Sequence, residues 1–174
     1  MSVPEKKKQE QTVGANVTKV QEIGGLAGRV ILAVLVVQIV SRRKLLWIFL
    51  LPGLVIIPFV FFHAAVHNLS LLYPGMFFAG LLTVGQFSFW GNYLLRVFPI
   101  HLHRIGEGFA ANIGGRILDT SFVWVTVTLA ATNDTTLTPA RLAYTAAGIV
   151  AFVYSANFIL PFFPPEPAEE TLPE

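Results

Sequence analysis

Apolar residues gather in five long runs along this chain, separated by short polar breaks. Each run approaches or exceeds the roughly 20 residues that a helix needs to cross a bilayer. The pattern predicts helices over about 24–40, 45–62, 71–95, 106–131 and 139–160. The breaks are Ser41-Arg42-Arg43-Lys44, His63 to Leu69, Arg96 to Arg104, and the turn-rich Thr132-Asn133-Asp134-Thr135-Thr136. Residues 1–22, with Lys6-Lys7-Lys8, read as a polar lead, either disordered or a surface segment, without the apolar core of a signal peptide. Residues 23–163 form the transmembrane helical domain, and 164–174 an acidic, Pro-rich tail. The fold class expected is all-α: a polytopic membrane bundle of about five transmembrane helices.

Composition strengthens that picture. The 174 residues are 54% hydrophobic and only 13% charged, where a soluble domain carries about a quarter charged. Between Leu45 and Leu95 there is no Lys, Arg, Asp or Glu at all. The net charge of +2 comes from scattered basic residues and argues against a nucleic-acid partner. The absence of cysteine removes disulfides and thiolate chemistry. Five spans place the breaks at 41–44 and 96–104 on one side with the tail. Arg42, Arg43, Lys44, Arg96 and Arg104 lie close to helix ends there, which assigns that side to the cytoplasm, although Lys6–Lys8 and Lys19 pull the other way.

Several helices carry features beyond greasy composition. Gly24, Gly25, Ala27 and Gly28 give the first helix a small face suited to close helix–helix contact in lipid. Arg29 stands near the start of that predicted helix, where its stem can snorkel to the interface, or its charge can pair with Glu22, Asp119 or a partner subunit. Pro52 and Pro58 lie inside the second helix. Pro74, Gly75, Gly80 and Gly85 predict a kinked or flexible third helix. The stretch Arg96–Asp119 holds five of the charged residues, and its helical half puts Arg116 and Asp119 three apart, close enough to face each other. A charge within a membrane helix costs about 2.5–3.5 kcal/mol on insertion scales, so this pair is either a transport or gating device or a self-neutralising packing element. Gln86, Trp90 and Asn92 on the third helix either grip a polar solute or serve as ordinary interhelical hydrogen-bonding groups. His63 and His67 have i, i+4 spacing but lack an acidic third ligand nearby, so no metal and no cofactor is expected. No converging catalytic constellation is present, and no enzyme is expected.

Two stretches resemble the major facilitator superfamily of secondary transporters. GGLAGRVILAVLVVQIVSRRKLL is similar to the family's helix 8 and the basic loop that follows it. RVFPIHLHRIGEGFAANIGGR is similar to the loop between helices 10 and 11 and the start of helix 11. Tyr93, Phe98, Pro99, Gly106, Phe109, Asn112, Gly114, Gly115 and Arg116 fit that second pattern. There are departures: Val37 to Ser41 lacks the family's Asp and Gly, Arg96 stands at a usually acidic position, and His103-Arg104 replaces the family's arginine. The resemblance covers helices 8 to 12 only. It implies a bacterial inner-membrane transporter of a small solute, one for which a proton can serve as coupling ion. It also implies a partner chain supplying the missing helices, besides the lipid bilayer itself. Arg42, Arg43, Lys44, Phe98, Pro99 and Arg104 would form the cytoplasmic loop motif, and Arg29, Arg116, Asp119, Gln86, Trp90 and Asn92 the transport and gating candidates. The rival expectation is a membrane scaffold or interaction protein, or a nonfunctional fragment.

Overall fold

The computed structural model describes residues 3–39, 41–86, 100–109, 112–113, 115–131 and 138–163, and every element among them is helical. Helix α1 spans Val3–Gln38 and α2 spans Arg42–Phe59. A π-helical turn, Val60–Ala64, and the short α3, Ala65–His67, prolong α2. Helix α4 covers Leu69–Thr83 and ends in a 3-10 turn, Val84–Gln86. A second 3-10 turn, Ile100–Leu102, leads into α5, His103–Phe109. Helix α6 covers Gly115–Ala130 and α7 covers Pro139–Ile159, closing on the 3-10 turn Leu160–Phe162.

Among the described residues four helices are long and apolar enough to cross a membrane: Glu5–Gln38, Arg43–His67, Leu69–Gln86 and Pro139–Ile159. The chain is thus all-helical with the build of a membrane protein. Of the segment expected at 106–131, residues 110, 111 and 114 lie outside the described ones; α5 stands before them, and α6 after them rises about 24 Å over its 16 residues. Residues 87–95, which complete the run expected at 71–95, and the acidic tail at 164–174 lie outside the described residues.

The largest departure concerns the lead. Residues 3–22 are not a separate unstructured segment but the first half of α1, a single helix about 54 Å long. Val13, Val17, Val20 and Gln21 are half-buried and continue the stripe of buried Gly24, Gly25, Gly28 and Leu32. That spacing is helical. Lys, Glu, Gln and Ala between these positions are good helix formers, and the Thr12 and Thr18 hydroxyls donate back to the carbonyls of Lys8 and Gly14.

The second departure is at His63–Leu69, expected as a polar turn. Helical backbone runs on through His67, and only Asn68 (φ −149°, ψ 98°) breaks it. Asn68 starts the next helix: its Oδ1 accepts from the backbone N–H of Ser70 at 3.0 Å and of Leu71 at 3.3 Å. The π turn follows Pro58, which has no N–H to donate to the helical ladder. Ser41 and Thr138 start α2 and α7, accepting from the N–H groups of Lys44 and Arg141. Pro139 at the first position of α7 forgoes an N–H that would have no helical partner.

The helices pack in succession: α1 on α4, α4 on α2, α2 on α7, and α7 on α6. The core lies in the first part of this row, with Leu32, Leu45, Phe49, Ile57, Val60, Met76, Ala79 and Leu82 buried. Large apolar side chains such as Val37, Val55, Trp124 and Phe152 are exposed on the outer faces, as expected where lipid is the solvent.

Glycine sets the closest approach. A Cβ on Gly24 would strike the Phe77 carbonyl oxygen, one on Gly28 that of Leu81, and one on Gly80 that of Gln21. A Cβ on Gly85 would come within 3.0 Å of the Gly28 carbonyl carbon. Contact numbers rise together along both helices, so α1 and α4 run parallel. The small face expected on α1 does serve a close helix contact. Gly80 and Gly85, expected as flexible points, are contact surfaces, because their missing side chains admit the α1 backbone. Gly75 likewise admits Val60, whose Cγ2 lies 2.7 Å from where its Cβ would be.

Candidate functional site

The glycine contact decides the depth of the charged and amide groups beside it. The basic turn at 41–44 and the 3-10 end of α7 mark one side of the bundle; the break at Asn68 marks the other. About 13 Å of helix rise separates Arg29 from Gln38, toward the basic side. Its neighbour Gly28 meets Leu81, about 18 Å of rise from the opposite end of α4 at Leu69. Arg29 thus stands well inside the length of α1, not near the start of the helix. The reason is the length of α1, which enters the bundle well before Gly24. Arg29 is exposed on the outer side of α1, with no ion pair to Glu22.

Gln86 arrives at the same depth. It follows Gly85, which packs on Gly28, so the 3-10 turn brings the amide level with Arg29. Gln86 is half-buried, and its Nε2 donates to the Leu82 carbonyl at 2.7 Å. One turn earlier the Thr83 hydroxyl donates to the Ala79 carbonyl at 2.6 Å. Both polar groups are satisfied within their own helix, which lowers the cost of holding them in a low-dielectric setting. Trp90 and Asn92, expected on the same face as Gln86 or near it, lie outside the described residues.

A second polar position lies across the row. Helices α6 and α7 enclose an open groove of about 460 Å³ lined by Asp119, Phe122, Thr126, Val150, Val153 and Tyr154 among others. The few residues of sequence between the end of α6 at Ala130 and the start of α7 at Pro139 favour an antiparallel pair, with Asp119 toward the Tyr154 end. Tyr154 is only 8% exposed and packs against Gly53 of α2; a Cβ there would lie 3.1 Å from its Cζ. The Thr126 hydroxyl donates to the Phe122 carbonyl at 2.6 Å, and among the described residues that line the groove Asp119 is the one charged group.

Arg116 and Asp119 are both exposed, and the structure contains no ion pair between them. Their spacing permits a pair, but Arg116 sits in the first turn of α6 while Asp119 borders the groove. Nor does Arg29 reach Asp119: α1 and α6 occupy opposite ends of the row. Arg43 is half-buried and Lys44 exposed at the start of α2. Phe98 and Pro99 lie outside the described residues, as do the side chains of Arg42 and Arg104.

Sequence reasoning missed the groove and the aromatic cluster at the basic end. Trp47 stacks on Phe158 (centroids 5.1 Å apart, 30°) and meets Phe162 edge-on at 5.2 Å, and its indole Nε1 is buried without a hydrogen-bond partner. Nothing in the linear pattern pairs α2 with α7, so neither feature was legible. At the other end His63 and His67 stack with centroids 5.3 Å apart, and His63 stacks on Phe59. Among the described residues no three metal-ligating groups gather.

The architecture defines a class: an all-helical protein with four described helices long and apolar enough to cross a bilayer, and with Arg29 and Gln86 level on neighbouring helices. No protein-family model matches the chain, and neither the curated proteins nor the solved structures yield a match.

Proposed function

We propose that the chain is part of a membrane transporter that moves a small solute by alternating access. The observation that carries this reading is the polar level at mid-bilayer, where the Gly28–Gly85 contact sets Gln86 at the depth of Arg29. Ionisable groups at such depth belong, as a rule, to a pathway, a relay or a protein interface. The resemblance to major facilitator helices 8 to 12 supports the same reading and places these helices in the carboxyl-terminal half. Gln86 is then a solute contact, while Arg29 and Asp119 act in closure between moving parts. The four described helices long and apolar enough to span a bilayer cannot alone form two rocking halves, so in this reading a partner supplies further helices. The basic turn Arg42–Lys44 faces the cytoplasm of a bacterial inner membrane, with a proton as the coupling ion.

The test uses the full chain in liposomes with a trapped pH-sensitive dye and an imposed proton gradient. Pools of amino acids, monocarboxylates and monosaccharides are added in turn. One pool is expected to dissipate the gradient faster than in empty liposomes, and Gln86→Leu to slow that pool about tenfold with insertion unchanged. If no pool moves protons or radiolabelled solute, transport by this chain is refuted, and a scaffold held by its glycine contacts becomes the reading.

A further inference from the structure

Two charged groups on opposite flanks of the row are complementary in sign, alike in depth, and unable to meet within one chain. Arg29 lies about 13 Å of helix rise from the basic-side end of α1. Asp119 stands at the Tyr154 end of its groove; Tyr154 is about 12 Å of rise from Phe162. Its contact Gly53 is about 16 Å of rise from Arg42. Both groups are exposed and neither has an ion pair among the described residues. Arg116, one turn nearer the basic side, is better placed for the headgroups. An isolated charge facing lipid at such depth is costly, and each of these two is the neutralising partner the other lacks.

We propose that copies of this chain pack head to tail in the bilayer, the Arg29 face of α1 in one copy seated in the Asp119 groove between α6 and α7 of the next. Shape agrees with charge. Around Arg29, α1 presents Ile23, Leu26 and Val30, which are 60%, 63% and 58% exposed. The groove that would receive them is concave and, among the described residues, apolar apart from Asp119, the satisfied Thr126 and the Tyr154 hydroxyl. A symmetric α1–α1 pairing is disfavoured. Copies inserted in the same direction and related by an axis along the membrane normal would set Arg29 against Arg29 at one depth. Head-to-tail contact avoids that repulsion and generates a ring, or an open array where the rotation does not close. The inference rests on membrane insertion alone and is independent of whether the assembly moves a solute.

The chain has no cysteine, so introduced ones report without background. Leu26→Cys and Val123→Cys place thiols at matching depth, the second on the groove wall, where Val123 is 58% exposed. Chains carrying one thiol each are co-expressed, and their membranes oxidised and run on a non-reducing gel; carbonate extraction confirms insertion. The mixed pair should give a crosslinked dimer, and pairing Leu26→Cys with the lipid-facing Val55→Cys should not. Adding Asp119→Asn to the Val123→Cys chain should lower the crosslink about tenfold. An Arg29→Asp chain mixed with an Asp119→Arg chain should regain it. Equal crosslinking through Val55→Cys, a Leu26→Cys self-dimer without mixed product, or no crosslink between inserted chains would each overturn the proposal.

Discussion

Single glycines carry unusual weight in this molecule, because in lipid the attraction between helices comes from close packing and not from expelled water. Gly80 and Gly28 stand where an added methyl would meet backbone, the Gln21 and Leu81 carbonyl oxygens, and backbone cannot rotate aside. Gly14, on the exposed part of α1, has nothing within 4 Å of a built Cβ. The same substitution should therefore act in opposite directions. Gly80→Ala should cost about 2 kcal/mol through forced separation of α1 and α4, whereas Gly14→Ala should gain up to about 1 kcal/mol from helix propensity. Denaturation midpoints in detergent or nanodiscs, compared with the parent chain, measure both. Equal effects at the two sites would mean that the α1–α4 contact is looser than the structure has it.

At the scale of elements, what was legible in the sequence follows from what each signal encodes. Runs of apolar residues report burial in lipid, so the spans ending at Gln38, beginning near Arg42 and covering Pro139–Ile159 match the expected ones within a few residues. Local polarity is a poorer guide to breaks. His63 and His67 read as a turn, yet His63, stacked on Phe59, and His67, stacked on His63, sit on continuous helix. The lead read as unstructured because its polar residues outnumber Val13, Val17 and Val20, whose spacing was the available signal. The candidate site was legible only as residue types. Arg29, Gln86 and Asp119 stood out, but their depths depend on which helices touch, and the glycine pairing that settles this is not written in either helix alone. Asn68 shows how narrow a real break is, since one side chain caps α4 with two hydrogen bonds. Asn68→Ala should cost about 1 kcal/mol. Thr145→Val should be close to neutral, as that hydroxyl only bonds its own helix through the Arg141 carbonyl. The difference between the two denaturation midpoints checks the assignment of Asn68 as a cap.

For the whole molecule, the direction of α7 is the decisive topological fact. Three contacts fix it. Trp47 meets Phe158, Gly53 meets Tyr154, and Phe62 meets Tyr144 at 5.1 Å between centroids, so numbers rise along α2 as they fall along α7. Helix α4 returns from α2 parallel to α1 and ends toward the basic turn. Because α7 starts at the opposite end, the chain must cross between Gln86 and Pro139, the interval that holds α5 and α6. Lys44 and Phe163 then share one membrane face, and His67 and Arg141 the other. The prediction is checked with single cysteines placed at those four positions in sealed, uniformly oriented vesicles. A membrane-impermeant maleimide should label Lys44→Cys and Phe163→Cys from one side, and His67→Cys and Arg141→Cys only from the other. Should Lys44→Cys and Phe163→Cys label from opposite faces, α7 would not run against α2. The groove beside it would then lose the register that puts Asp119 at the depth of Arg29. Labelling in the expected pairs fixes the basic turn and the aromatic cluster of Trp47, Phe158 and Phe162 at one interface.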